Sequence, residues 1–317
     1  MADDGHRQQT VPNPPRSMLK IAWSPIYAHP LPEGHRFPME KYNLIPEQLQ
    51  YEGTITAANL FEPALMAEAD ILLTHDADYW ARLSGLQLTA KEIRKMGFPL
   101  SARLVERECI ITQGTLDCAR LALHHGCAMN VSGGTHHAFR AHGEGFCLLN
   151  DIAVAANCLL RDGQAQRILI VDLDVHQGNG TAEIFRDEPR VFTFSMHCEG
   201  NYPMEKMQSS RDVGLPPGTD TAAYLATLEA ELPGILDDFR PDFVFYLSGV
   251  DILETDKLGR LAVTRAGCQA RDRYVLERVH AAGLPLCISM GGGYSVRISD
   301  IVEAHCNTFR LAQKIYF

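Results

Sequence analysis

Short apolar runs alternate with longer helical patterns along almost the whole chain, and this alternation constrains the fold more than any other feature. Seven apolar runs predict strands, at residues 19–23, 70–74, 128–132, 167–174, 191–196, 242–249 and 284–291. Five helical patterns separate or follow them, at residues 101–125, 149–162, 221–239, 265–282 and 297–314. Such alternation is typical of an α/β sandwich, a mostly parallel sheet with helices on both faces. Ligands of such sheets bind outside the carboxyl ends of the strands.

The last four predicted helices each follow a residue whose side chain can cap a helix N-terminus. These residues are Asn150, Thr219 or Asp220, Thr264 and Ser295.

The chain has 317 residues, enough for one large α/β domain or two small ones. Residues 1–17 are polar and rich in proline, so we predict a flexible leader there and a single domain over residues 18–317. No segment has the apolar core of a signal peptide or the 18 or so apolar residues of a membrane span. Nine scattered cysteines without paired spacing indicate free thiols in a reducing compartment, and we expect a cytoplasmic protein.

The net charge of −10 and the lack of a basic stripe argue against nucleic acids and anionic membranes as direct partners. An acidic protein is compatible with a basic, flexible partner segment such as a lysine-bearing tail. The sequence gives no indication of oligomeric state.

The segment ILIVDLDVHQGNG, residues 168–180, begins as an apolar strand and continues with polar side chains at alternate positions. Asp172, Asp174 and His176 are two residues apart, so on an extended strand they would share one face. Because burial of unpaired carboxylates is costly, these groups must pair with other residues or bind a cation. A simple ion pair between Asp174 and His176 explains an isolated motif of this kind about equally well.

Three more polar clusters follow predicted strands: GGTHHAF (133–139), SGVDILETDKLG (248–259) and SMGGGYS (289–295). Each has a structural alternative. Asp251 could cap a turn, and the glycines before Tyr294 could bind phosphate, although they lack the order of a phosphate-binding loop. The other histidine pair, His124–His125, ends a predicted helix just before a glycine and is interpreted as structural.

Taken together, the clusters predict one catalytic metal site. Asp174, His176 and Asp251 supply two oxygens and one nitrogen, and three protein ligands with an open position are typical of catalytic zinc. Water on such a metal is acidic enough to attack a carbonyl near neutral pH. His136 and His137 are then candidates for acid–base work.

Two more residues fit this site. Tyr294 can donate to an oxyanion, and Asp172 can accept from an imidazole N–H.

With these motifs in place, the chain closely resembles the zinc-dependent histone deacetylase family, whose fold is the arginase–deacetylase α/β sandwich. The resemblance runs from Ile21 to Arg310 and is densest in GGTHHAFRAHGEGFCLLND, DLDVHQGNG, SGVDILETDKLG and GGGY. Four motifs in the same order are far more specific than any one of them.

The resemblance implies a role for each matching residue. Asp174, His176 and Asp251 would be the zinc ligands. His137 would act as general base and then as general acid, beside an Asp172-bonded His136. Tyr294 would polarise the acyl carbonyl.

Residues lining a narrow acyl-lysine channel are also implied, namely Gly145, Phe146, Tyr202, Leu258 and Gly292. The family further carries a structural potassium ion. Its ligands here would be Asp172 and Ser195, with backbone oxygens of Asp174, His176 and Met196.

Two features bear on the subtype. The partner of the second histidine is an aspartate in class I enzymes but is Asn179 here, so the pKa of His137 should be supported less strongly. With DILETDKLG, this makes the chain most similar to class IV and its bacterial relatives. An acidic residue that grips the substrate backbone in class I has no clear match.

The expected activity is therefore zinc-dependent removal of acetyl or other acyl groups from protein lysines, with iron(II) as the alternative native metal. One alternative is hydrolysis of a small acylated amine such as an acetylpolyamine. A catalytically inactive acyl-lysine-binding protein is a second alternative. A two-metal ureohydrolase is disfavoured, because it would need carboxylates where Ile252 and Leu253 stand.

Overall fold

Eight strands form one sheet in the computed structural model, which describes residues 18–317. The predicted leader, residues 1–17, lies outside the described residues. The strand order is β2–β1–β3–β8–β7–β4–β5–β6, and every neighbouring pair is parallel. The strands are β1 (Lys20–Ala22), β2 (Leu60–Phe61), β3 (Cys127–Asn130), β4 (Ile168–Asp172), β5 (Val191–Cys198), β6 (Arg211–Leu215), β7 (Phe243–Ser248) and β8 (Leu286–Met290).

Helices cover the sheet, which is the middle of three layers, and the predicted α/β sandwich is confirmed. The helices are α1 (Lys41–Tyr51), α2 (Glu68–Ile71), α3 (Ala77–Ser84), α4 (Ala90–Met96), α5 (Ala102–His125), α6 (Asp151–Arg161), α7 (Asn179–Ile184), α8 (Thr221–Phe239), α9 (Arg265–Ala281) and α10 (Ile298–Tyr316). The α5 helix packs on α6, while α10 packs on α1 and α9, and α9 packs on α8. In the described part of the chain, no helix combines the length and apolarity needed to cross a membrane.

The four central strands, β3, β8, β7 and β4, are buried along their whole length. Each fully buried Val, Leu or Ile side chain there stabilises the fold by about 1.5–3 kcal/mol. The ends of these strands are in register, because Asp172 lies opposite Leu247, Leu247 opposite Ser289, and Ser289 opposite Asn130. The four loops that follow them therefore leave the same edge of the sheet side by side.

Two edge strands were not predicted, and one predicted strand is wrong. Residues 70–74 enter the short helix α2 and a turn, in which Ile71 is buried while Leu72 is exposed. The edge strand β6 has no apolar run because most of its residues are not buried.

Three of the four predicted helix caps are confirmed. Asn150, Asp220 and Thr264 each accept a hydrogen bond from the backbone N–H three residues later. The prediction for Ser295 is wrong, because α10 begins after Arg297 and the Ser295 hydroxyl lies 2.8 Å from that of Thr255. All nine cysteines are buried and unpaired, as expected.

Candidate functional site

Three buried side chains meet at the carboxyl ends of β4 and β7. Ligand atoms of Asp174, His176 and Asp251 all lie within 4.8 Å of one another. His176 Nδ1 is 2.9 Å from Asp174 Oδ1 and 3.2 Å from Asp251 Oδ2. The expectation that these positions lie on an extended strand is wrong: β4 ends at Asp172, and the two later side chains project from a bend. The bend is held because Asp172 Oδ1 accepts from the Asp174 N–H.

The charges at this cluster suit a divalent cation. Burial beside the Asp174 carboxylate raises the pKa of Asp251 to about 7. Burial alone would lower the pKa of His176, but hydrogen bonds and attraction from the two carboxylates raise it to about 10. Two buried carboxylates thus attract positive charge, and two oxygens with one imidazole nitrogen are a donor set typical of zinc.

Backbone groups hold the two carboxylates in place. The Val175 N–H donates to Asp251 Oδ1 at 2.9 Å, and the Gly292 N–H donates to Asp174 Oδ2 at 2.7 Å. A Cβ at Gly292 would lie 1.9 Å from Asp251 Oδ2 and 2.9 Å from Asp174 Oδ2. Only glycine allows the β8 loop to approach the cluster this closely.

Arg271 lies beneath the cluster, and sequence reasoning missed it. Its guanidinium donates to the carbonyl oxygens of Leu173 (3.1 Å) and Gly249 (2.6 Å), which immediately follow β4 and β7. Asp272 compensates its charge at 2.8 Å, and neither side chain is exposed to solvent. The interaction joins the two loops that supply the ligands. A helical arginine followed by an aspartate carries no signal of such a contact.

We expect Arg271→Ala to lower the free energy of unfolding by about 3–5 kcal/mol, because the buried Asp272 carboxylate loses its cationic partner and keeps only the hydrogen bonds from the Tyr246 and Thr308 hydroxyls. Urea unfolding would measure the change. Arg273→Ala is the matched control, since its contact with Glu277 is 3.7 Å long and partly exposed, and a change within about 0.5 kcal/mol is expected. Equal effects of both substitutions would contradict the assigned contact.

The loop after β3 brings the His136–His137 pair beside the cluster. His136 Nδ1 lies 2.7 Å from Asp172 Oδ2, and His137 Nδ1 lies 2.7 Å from Asn179 Oδ1. The two rings are 4.1 Å apart. A Cβ at Gly134, whose φ is +69°, would lie 2.0 Å from the Met290 carbonyl oxygen. The glycine therefore allows this loop to pack against the end of β8.

The environments of the two histidines push their pKa values apart. Burial would lower both, but the Asp172 carboxylate raises the pKa of His136. His137 has only a neutral amide as its direct partner. Burial, together with the neighbouring His136 and His176, lowers its pKa well below the ordinary value. A neutral His137 beside a more basic His136 is an arrangement suited to proton transfer.

A cavity of about 560 Å³ leads from the surface to this cluster. The structure brings all five predicted channel residues to its lining, namely Gly145, Phe146, Tyr202, Leu258 and Gly292. Phe37 also lines it and was missed, because it lies in an N-terminal loop far away in sequence. Its ring packs edge-on against Phe146 at 5.3 Å and Tyr294 at 6.0 Å.

Tyr294 lies on the cavity wall and is held through its backbone. Its N–H donates to Asp256 Oδ2 at 2.6 Å, while Asp256 Oδ1 accepts from the N–H groups of Leu258 and Gly259. Burial, with the nearby Asp251 and Asp174 charges, raises the pKa of the Tyr294 phenol well above its ordinary value, so the phenol is a proton donor at all working pH values. Asp256 thus joins the β7 and β8 loops, a role that its place in DILETDKLG did not reveal.

Three of the predicted potassium ligands, Asp172, Ser195 and Met196, lie on β4 and β5, and the other two, Asp174 and His176, belong to the cluster itself. Ser195 is opposite Asp172 in the sheet, and Met196 follows it. The Ser195 hydroxyl lies 3.0 Å from His197 Nδ1. The potassium site stays a prediction.

Comparison with known proteins gives consistent matches. The sequence model of the histone deacetylase domain matches residues 35–309. An uncharacterized protein of Picosynechococcus sp. is 47% identical over 93% of this chain and 99% of its own. Histone deacetylase 2 of Arabidopsis thaliana is 30% identical over 85% of this chain and 73% of its own. Among solved structures, the HDA15 HD domain superposes with a TM-score of 0.76 at 21% identity, covering 92% of this chain and 90% of that one.

Proposed function

The chain belongs to the histone deacetylase family, and from that premise we propose that it is a zinc-dependent hydrolase that removes acyl groups from lysine side chains of proteins. The observation that carries the proposal is the buried Asp174–His176–Asp251 cluster, of which Asp174 and His176 line a cavity together with His137 and Tyr294. A binding protein needs no such set of acid–base and oxyanion groups around its ligand.

Asp174, His176 and Asp251 would hold the zinc ion. Bound there, it would supply Lewis-acid chemistry, polarising the acyl carbonyl and making water acidic near neutral pH.

The remaining steps belong to the side chains of the cavity. His137, neutral because of its burial, takes a proton from the attacking water and later donates it to the leaving lysine amine. His136, with its pKa raised by Asp172, adds positive charge beside the reacting centre. Tyr294 keeps its proton and donates a hydrogen bond to the oxygen that becomes negative.

The channel walls fit an acylated lysine. Phe146 and Tyr202 present aromatic surface to its apolar stem.

The cavity also carries cations that favour a peptide over a polyamine. Arg36 and Arg260 line it with exposed side chains, whereas the Lys95 ammonium is paired with Glu144, and Asp174 is the only carboxylate among the described residues of the lining. Acetylpolyamines are themselves cationic and would be repelled, whereas acidic residues beside an acyl-lysine would be attracted.

The experiment that tests the substrate is a turnover screen with zinc-loaded protein. One lysine peptide would carry acetyl, lactyl, butyryl, octanoyl or myristoyl groups, with acetylputrescine alongside. Hydrolysis of the peptides is expected, and the length of the preferred acyl group reports the channel depth. Cleavage of acetylputrescine alone would exclude the protein substrate, and stoichiometric zinc without any turnover would favour an acyl-lysine-binding protein.

Reversing the charges of the exposed arginines that line the cavity should change the preference for a peptide over a polyamine. We expect Arg36→Glu with Arg260→Glu to lower kcat/KM for an acetyl-lysine peptide with acidic neighbours by about fivefold and to raise it for acetylputrescine by a similar factor. Steady-state kinetics at low ionic strength measure both. The control reverses Arg273 and Arg278 on α9, which do not line the cavity. If the ratio of kcat/KM for the peptide to kcat/KM for acetylputrescine did not change, these arginines would have no part in substrate selection.

A further inference from the structure

Glu144 is a buried carboxylate behind the cavity wall that none of the assigned roles uses. Its side chain is only 5% exposed, yet it has four polar partners. Oε1 accepts from Asn179 Nδ2 at 2.7 Å and from the Tyr202 hydroxyl at 2.6 Å. Oε2 pairs with the Lys95 ammonium and lies 3.5 Å from His142 Nε2.

Hydrogen-bonding capacity gives this carboxylate control over His137. An ionised carboxylate only accepts, so the Asn179 side chain must turn its NH₂ group toward Glu144. Asn179 Oδ1, which also accepts from the Gly180 N–H at 3.1 Å, then faces His137 Nδ1, and because an amide oxygen only accepts, Nδ1 must carry the ring proton. The other ring nitrogen, Nε2, is left with the lone pair that a general base needs.

We propose that Glu144 is a positioning residue that acts through Asn179 to fix the Nδ1–H tautomer of His137. The inference rests on the proposed function, since it gives His137 the role of base. Glu144 also supplies the negative charge that Asn179 lacks, and Asn179 lies between this charge and His137. Through the Tyr202 hydroxyl the same oxygen fixes the opposite wall of the channel.

The environment keeps Glu144 ionised for this role. Burial alone would raise its pKa, but hydrogen bonds from His142, Lys95, Tyr202 and Asn179 hold the pKa well below its usual range.

Replacing Glu144 with glutamine should reverse the direction of the hydrogen bonds that run through Asn179 to His137. The Lys95 ammonium attracts the oxygen of the new amide, so its NH₂ group faces Asn179. Asn179 then turns over, gives up the hydrogen bond that its Oδ1 accepts from the Gly180 N–H, presents its own NH₂ group to His137 Nδ1, and moves the ring proton to Nε2. We expect Glu144→Gln to lower kcat by about a hundredfold, with KM within about twofold and zinc content unchanged, because a wrong tautomer removes the base.

The double variant Glu144→Gln, Asn179→Asp is the decisive kinetic test. Its new carboxylate at position 179 would accept from the new amide at position 144 and from His137 Nδ1–H, so most of the lost activity should return. Asn179→Asp alone should be impaired, since it places two carboxylates side by side. Glu183→Gln is the matched control. The Glu183 carboxylate accepts at 3.4 Å from the N–H of Arg140, which lies in the same loop as Glu144, but it does not contact the Asn179 side chain, so kcat should be unchanged.

A spectroscopic readout separates this inference from the proposed function. Long-range ¹H–¹⁵N spectra of histidine-labelled protein, with the His137 signal assigned from His137→Gln, report which ring nitrogen carries the proton. We expect Nδ1–H in the native chain and Nε2–H in Glu144→Gln, whether or not any acyl amine is hydrolysed. The same tautomer in both proteins, or a double variant no more active than the single variants, would overturn the proposal.

Discussion

Replacing Asp251 with alanine is expected to abolish both zinc binding and hydrolysis. The Asp251 carboxylate is fully buried, and its Oδ2 lies 3.2 Å from His176 Nδ1, within the three-residue cluster. Two remaining protein ligands rarely hold zinc. The protein should therefore retain less than about a tenth of its zinc after dialysis, with turnover reduced by at least about 10³-fold.

Thermal unfolding adds a readout of Asp251→Ala that does not depend on turnover. A ligand that binds only the folded state stabilises it by about 2.7 kcal/mol at 100 times its Kd. Zinc should therefore raise the Tm of the native chain but leave that of Asp251→Ala unchanged. The control is Asp187→Ala, an exposed acid outside the cluster. A variant that kept stoichiometric zinc would remove Asp251 from the ligand set.

Replacing Tyr294 with phenylalanine is expected to lower kcat by about 10²–10³-fold, as loss of one oxyanion donor does. Zinc content should stay the same, because the phenol is not in the metal cluster. KM should change little, since the aromatic ring still packs against Phe37 and Phe146. The loss should be similar at every pH at which the native protein works, because burial keeps the phenol protonated.

Steady-state kinetics with an acyl-lysine peptide measure the Tyr294→Phe effect. Tyr316→Phe is the control, because that hydroxyl lies 3.3 Å from the Leu276 carbonyl oxygen and belongs to the α9–α10 packing. An unchanged kcat for Tyr294→Phe would remove the phenol from the mechanism.

The central sheet could be predicted from sequence because its strands are buried on both faces. The run at residues 242–249 includes five consecutive apolar residues, 243–247, and β7 lies inside that range. The edge strand β6 could not be predicted, because half-exposed residues carry no such signal. Residues 70–74 gave a false strand because three apolar residues in a row do not distinguish a strand from a helical turn.

The predicted site residues lie together because the loops after β3, β8, β7 and β4 leave neighbouring strand ends. The residues that hold them were not predictable. Arg271 donates to backbone carbonyl oxygens 98 and 22 positions away, and Asp256 accepts from the Tyr294 N–H. Glu144 stands inside a recognised motif, but its effect on Asn179 depends on a contact across 35 positions. Sequence patterns report local periodicity and motif chemistry, whereas these contacts exist only in the folded chain.

The most direct measurement of the central claim is a zinc titration of metal-free protein with an acetyl-lysine peptide as substrate. Mass spectrometry would follow the release of free lysine peptide as zinc is added. We predict no hydrolysis without metal and full activity at one equivalent of Zn²⁺, with Asp251→Ala inactive throughout. Full activity in the metal-free protein, or none at one equivalent for any acyl chain, would contradict a zinc-dependent lysine deacylase.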